Sequence, residues 1–192
     1  RDRARSSLAR RLSGSRKGKS GGWGLGWSGL VVLVLLALTG WAVPGQAATI
    51  AGGGLHSLGI RVDGTVVAWG NNSKGQCNVP AGLTNVAAVA AGGYHSLALK
   101  ADGTVDAWGD NIYGQCTAPP GLANVVAVAA GSYHSLALNS DGSVAAWGRN
   151  NDGQCNVPAG LTDVVAAAAG GYHSLALKTD GTVAAWGDND YG

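Results

Sequence analysis

The sequence predicts an all-β fold built from repeated units of 39 residues, each with three antiparallel strands. A fixed period of this length indicates an array in which each unit buries its surface against its neighbours. Short apolar runs flank Asp-Gly pairs, which favours hairpins, and the 33 glycines disfavour helices. The strictly spaced positions are His56, His95, His134 and His173, together with Trp69, Trp108, Trp147 and Trp186.

Residues 84–122 illustrate one unit. A run of small apolar residues at 85–91 ends at a glycine pair, and an alternating strand follows at 95–100. An Asp-Gly turn leads into a returning strand at 104–109, and a connection rich in Gly, Asn and Pro completes the unit. Three antiparallel strands repeated radially form a β-propeller, with the small-residue strand near the axis. A β-solenoid is the alternative, although 39 residues is long for one of its coils.

The first 47 residues differ in composition from the repeats and are predicted to direct export. Eight of the 13 basic residues lie in the first twenty positions, where Asp2 is the only acid. Residues 30–43 are apolar and precede small residues, which is typical of a secretory signal peptide cleaved after Ala47. The alternative is that residues 21–43 remain as a membrane anchor. Both predict that the repeats lie outside the cytoplasm, in the extracellular space, the periplasm or at the cell surface.

These patterns predict two domains: a basic segment with a signal peptide or anchor at 1–47, and a partial propeller at 48–192. The propeller holds just under four units, and the sequence has no starting Met, so we expect a piece of a larger ring. The predicted units are 48–80, 81–119, 120–158 and 159–192.

Charge and cysteine content narrow the possible partners. From residue 21 onward, five basic residues face ten Asp, a net charge of −5, which argues against nucleic acid. The three cysteines occupy equivalent positions in successive units, so we expect them to be too far apart for a disulfide. They also occur singly, which argues against a metal site, and we expect no cofactor. These residues are Cys77, Cys116 and Cys155.

The repeated motif resembles that of a known family. Gly-Tyr-His-Ser-Leu-Ala-Leu, then Asp-Gly-Thr-Val, then Ala-Trp-Gly-x-Asn-x-x-Gly-Gln resembles the repeat of the regulator of chromosome condensation family. The resemblance covers residues 50–192 and implies a seven-bladed propeller, about three blades more than the sequence holds. The short repeat is similar to the secreted bacterial branch, which has three-stranded blades and includes the β-lactamase inhibitory protein of the second type.

Most repeated polar residues are predicted to be structural. Each histidine precedes a serine at a strand start, and we expect hydrogen bonds there rather than catalysis, because the sequence has no Glu and no Asp at triad spacing. No catalytic or metal residue is predicted. The repeated aspartates are predicted to form turns. They are Asp63, Asp102, Asp141 and Asp180.

The candidate partner-binding residues are the large side chains that follow a Gly-Gly pair or, in the third unit, Gly131-Ser132. They lie on turns, so we expect them on one face of the propeller around the channel mouth. Tyrosine supplies contact area at little entropic cost, and the resemblance implies that aromatics at this position contact a partner enzyme. The alternative is that each side chain only covers its own turn. The candidates are Leu55, Tyr94, Tyr133 and Tyr172.

Positions at which the units differ are a second place to look for function. Arg149 replaces the Asn or Asp of the other units, and the Asn-x-x-Gly loops vary at pairs such as Ile112-Tyr113. We expect these residues on the rim or on a loop face, where they reflect either drift or recognition.

The sequence therefore predicts an exported, non-enzymatic propeller scaffold that binds a protein or a cell surface through its loop faces. We expect no nucleic-acid partner and no membrane insertion of the repeats. The resemblance implies one alternative, an inhibitor of an exported enzyme such as a β-lactamase. A propeller-type lyase or other enzyme is the second alternative, but it would need a carboxylate cluster or metal site that the sequence does not show.

Overall fold

The computed structural model describes residues 50–190, so the basic segment and the apolar run at 30–43 lie outside the described residues. Twelve strands form four antiparallel three-stranded sheets, called blades 1 to 4, and each keeps its strands in chain order. This confirms the all-β, three-stranded prediction. The strands are β1 (Ile50–Gly52), β2 (His56–Ile60), β3 (Val66–Gly70), β4 (Val86–Ala91), β5 (His95–Lys100), β6 (Val105–Gly109), β7 (Val125–Ala130), β8 (His134–Asn139), β9 (Val144–Gly148), β10 (Val164–Ala169), β11 (His173–Lys178) and β12 (Val183–Gly187).

The predicted Asp-Gly turns form the hairpin between the second and third strands of every blade. In blade 2, β5 and β6 pair from His95 opposite Gly109 to Leu99 opposite Val105. The Asp102 carboxylate accepts the Thr104 backbone N–H at 3.0 Å, and Gly103 takes a φ of +80°, which suits a residue without a Cβ. The other three hairpins repeat this aspartate bond.

Adjacent blades pack through the same strands at every junction. The first strand of each blade contacts the first and second strands of the preceding blade, so the small-residue strands lie side by side. The tryptophan of the third strand packs on the preceding blade: Trp147 belongs to a buried cluster with Leu97 and Leu99. The inner tryptophans therefore stabilise the contact between neighbouring blades.

The end blades differ from the inner ones because each leaves a surface uncovered. Trp69 in blade 1 is 52% exposed, whereas Trp108 is 7% exposed. In blade 4, Leu177 is 39% exposed, whereas the equivalent Leu99 is 4% exposed. The four described blades therefore do not close a ring.

A polar network joins each pair of blades and explains the repeated His-Ser and Trp positions. Ser96 Oγ donates to the Gln76 backbone oxygen at 2.8 Å, and Trp108 Nε1 donates to the same oxygen at 2.9 Å. Because the serine proton is used in this way, the His56 Nε2–H, at 2.9 Å, is the donor to Ser96 Oγ. The network recurs at the next two junctions, through Ser135 and Ser174.

The glycine before each histidine turn allows the blades to approach closely. A Cβ added at Gly131 would overlap the His134 ring and the backbone of the next blade. Within residues 50–190, no helix is long and apolar enough to span a membrane.

Candidate functional site

The three candidate tyrosines lie on equivalent turns immediately before β5, β8 and β11. Each turn is bonded to the start of the connection loop in its own blade: the Tyr133 carbonyl oxygen accepts the Arg149 N–H at 2.9 Å. Backbone bonds also join the turns of neighbouring blades, as from Gly93 N to Gly131 O at 3.2 Å. The fold therefore holds the tyrosine turns and the variable loops side by side.

The side chains on these turns and loops form a continuous row across blades 2 to 4. The Tyr94 and Tyr133 rings stack with centroids 6.1 Å apart, and Tyr113 meets Tyr133 edge-on at 5.5 Å. The Arg149 guanidinium carbon lies 4.7 Å from the Tyr172 ring centroid and 5.9 Å from that of Tyr113. We call these five side chains the Tyr–Arg row.

The row remains accessible to a partner. Tyr113 is 44% and Tyr172 38% exposed, whereas Tyr94 and Tyr133 are half-buried by their neighbours. Desolvation, followed by the neighbouring phenols of Tyr94 and Tyr172, raises the pKa of Tyr133. Its hydroxyl is therefore neutral at physiological pH and can donate a hydrogen bond.

Leu55 occupies the equivalent turn in blade 1. Its carbonyl oxygen accepts the Asn71 N–H at 2.9 Å, and its side chain is exposed. The structure thus places all four predicted residues on matching turns and joins the three tyrosines in the row. That they bind a partner stays a prediction.

Arg149 stands where the other blades have a hydrogen-bond acceptor. In blade 1, Asn71 Oδ1 accepts Gln76 Nε2 at 3.0 Å, and in blade 2 Asp110 accepts the matching glutamine at 3.3 Å. Arginine cannot accept, and Gln154 Nε2, in a fully buried side chain, has no partner within the described part of the chain. The sequence analysis assigned no role to Gln76, Gln115 and Gln154. Their constant position immediately before each cysteine indicates a structural role in the loop.

The histidines and cysteines have surroundings that suit structural roles. Burial, followed by the charges of neighbouring histidines, lowers the pKa of His95 to about 4. All three cysteines are free, as predicted, and each Sγ donates to a backbone oxygen. The Cys116 Sγ lies 3.2 Å from the Asp110 backbone oxygen. Burial raises the pKa of Cys116 to about 12 and that of Cys155 to about 11, so these thiols are protonated at neutral pH.

The cysteines are partly exposed, because they lie in the loops and not in the strands. Across residues 50–190, no group of three or more His, Cys, Asp or Glu side chains is placed to hold a metal ion.

Comparison with known families identifies the repeat. The family described as "Regulator of chromosome condensation (RCC1) repeat" matches residues 47–76, 86–115, 125–154 and 164–192. The chain belongs to this family, as its motif predicted. Similarity to the secreted bacterial branch stays a prediction.

Solved structures with the same fold include two of yeast Prp20. One, with Kap60 bound, is 26% identical, and the match covers 77% of this chain and 46% of that one with a TM-score of 0.64. The other, from Saccharomyces cerevisiae and described with its binding to Gsp1p and histones, is 27% identical, with coverages of 77% and 47% and a TM-score of 0.64.

A third similar structure is the ectodomain of the receptor kinase CR4 from Physcomitrella patens. It is 27% identical, with coverages of 72% and 40% and a TM-score of 0.62. The chain thus spans less than half the length of these three structures. A search among curated proteins found no significant match.

Proposed function

We propose that this chain is an exported, non-enzymatic propeller that binds a protein partner through the Tyr–Arg row. The observation that carries the proposal is the continuity of the row: five side chains from three blades form one surface. A repeat protein builds its recognition surface in this way, by placing equivalent positions of successive units side by side.

The row has the physical properties of a protein-binding surface. Tyrosine and arginine are among the residue types that contribute most binding energy in such interfaces. Their turns are fixed by backbone bonds within and between blades, so little conformational entropy would be lost on binding. Rings already in contact need no rearrangement before a partner packs on them.

Charge and relatives support a protein as the partner. The repeats carry a net charge of −5, which disfavours a polyphosphate backbone. Yeast Prp20, which shares the fold, is described as binding proteins: Kap60, Gsp1p and histones. The basic segment and apolar run at the N-terminus support export.

Site-specific photocrosslinking tests this proposal. We would replace Tyr133 with a photoreactive phenylalanine analogue in the full chain and irradiate it among exported proteins. The control places the same analogue at Asp102, on a hairpin away from the row. A distinct adduct from position 133 that Tyr94→Ala weakens is the expected result, and equal labelling from both positions would contradict the proposal.

Inhibition of an exported hydrolase is the second candidate, and the exposed tyrosine turns favour it. The resemblance implies that aromatics on such turns contact the inhibited enzyme. Purified full chain added to a class A β-lactamase should slow substrate hydrolysis at micromolar concentration, and Tyr133→Ala should relieve that inhibition. Unchanged hydrolysis would remove this candidate and leave the general binding proposal standing.

A further inference from the structure

Blade 3 departs from the repeat at position 149, and this departure leaves a buried amide without a hydrogen-bond acceptor. Its loop begins with Arg149, where blades 1 and 2 place Asn71 and Asp110 as acceptors for a buried glutamine amide. The corresponding amide of Gln154 is completely buried and, within residues 50–190, makes no hydrogen bond. A buried donor without a hydrogen-bond partner destabilises the fold. The stability of blade 3 therefore does not explain why an arginine occupies position 149.

Arg149 makes only weak contacts in compensation. Its terminal nitrogen lies 3.4 Å from the Asp152 carboxylate, and both side chains remain partly exposed, at 22% and 33%. An ion pair of this kind contributes little stability. The Arg149 Nε is buried and has no partner among the described residues. The donors open to a partner are therefore the terminal nitrogens and not the buried Nε, and the guanidinium that carries them lies against the rings of Tyr172 and Tyr113.

We propose that Arg149 is the specificity-determining residue of the row and receives a single carboxylate, from an Asp or Glu side chain of the protein partner. This inference rests on the proposed function, since it assigns chemistry to the same surface. A planar guanidinium matches a carboxylate with two parallel hydrogen bonds, and contact with the neighbouring rings restrains it.

The surrounding charges select a single carboxylate rather than a polyanion. Asp110, Asp152, Asp188 and Asp190 belong to the same set of loops as Arg149, and three of them lie within its own blade or the next. One acidic side chain on Arg149 meets the Asp152 carboxylate, which already lies 3.4 Å from the guanidinium, whereas each further negative charge on a ligand would add repulsion from the other three. The apolar ring faces of Tyr94 and Tyr133 then accept the residues beside the acid.

The first test measures stability without a partner. Arg149→Asn restores the acceptor used in blade 1, and we expect it to raise the melting temperature of the full chain by a few degrees. Arg61→Asn, which removes an exposed arginine on a hairpin, is the matched control and should leave the melting temperature unchanged. A lower melting temperature for Arg149→Asn would show that the arginine is structural, and would overturn the proposal.

The second test measures recognition with a phage library of random short peptides selected on the immobilised full chain. We expect enriched peptides to carry an Asp or Glu. Changing that acid to its amide should weaken binding to the wild-type chain about tenfold, but should have no further effect on Arg149→Asn.

The outcomes separate this inference from the proposed function. Peptides that need Tyr133 but show no acidic preference, or bind Arg149→Asn equally well, would overturn the role of Arg149 and leave the row as a binding surface. Selection that yields no peptide dependent on the tyrosines would overturn both.

Discussion

The repeated histidines show how one residue serves the fold at a blade junction. His95 donates through Nε2 to Ser135 at 3.0 Å, which leaves Nδ1 buried and without a partner in the described residues. Nδ1 also faces the close-packed Gly92 backbone, so a proton added there would find neither water nor an acceptor. The ring is therefore held neutral, and catalysis by proton transfer is not what its surroundings favour.

This arrangement predicts acid sensitivity. In the unfolded chain, histidine protonates near pH 6.5, whereas in the folded chain the pKa of His95 and that of His134 are lowered to about 4. The unfolded state thus binds more protons between these values. Stability is complete above pH 6.5 and falls as the pH approaches 4, by about 3 kcal/mol for His95 alone.

Urea unfolding of the full chain at several pH values between 7.5 and 4 measures this loss. The turn aspartates contribute little above pH 4.5, because hydrogen bonds from the adjacent Thr or Ser lower their pKa values below the ordinary 3.8 and the stability this supplies is lost mainly below that pH. A free energy of unfolding that stays constant down to pH 4.5 would contradict the account of the histidines.

At the scale of the strand and its turns, one glycine per unit lets neighbouring blades pack closely. Gly131 faces the His134 ring and the backbone of the next blade, so any side chain there must displace one of them. We expect Gly131→Ala to lower the free energy of unfolding by about 1–3 kcal/mol. Gly52→Ala is the control, since a Cβ there has open space, and equal effects of the two substitutions in urea titrations would contradict the packing.

The tryptophans predict a second difference between inner and end blades. Trp108 is buried and donates to the Gln76 backbone oxygen of the preceding blade, whereas Trp69 is 52% exposed. Loss of the Trp108 Nε1 hydrogen bond in Trp108→Phe should therefore lower the free energy of unfolding by about 1 kcal/mol, the usual contribution of such a bond. Trp69→Phe should change thermal stability little, and the reverse order of effects would show that the blades are packed differently.

Local features of the blades could be predicted from the sequence, and contacts between blades could not. The Asp102-Gly103 turn needs only its own neighbours, so its pattern was sufficient. His56 finds Ser96 a full unit away, and Tyr113 reaches Tyr133 across a blade junction. Those contacts depend on how far neighbouring blades are rotated and offset, which the period does not specify.

At the scale of the whole molecule, near-identical blades produce a surface that is not uniform. The backbone places the same turn and the same loop beside each other in every blade, but only blades 2 to 4 supply aromatic side chains at the turn. Arg149 gives the row one cation among loops that carry aspartates. The repeat supplies a rigid support, and the few positions that depart from it give the surface its chemistry.

Hydrogen–deuterium exchange of the full chain, alone and with the protein that photocrosslinking identifies, tests the Tyr–Arg row most directly. We expect slower exchange on binding in the tyrosine turns at 92–94, 131–133 and 170–172 and in the loops at 110–113 and 149–152. Exchange at the hairpins 101–104 and 140–143 should not change. Protection confined to those hairpins, with the tyrosine turns unaffected, would contradict the account.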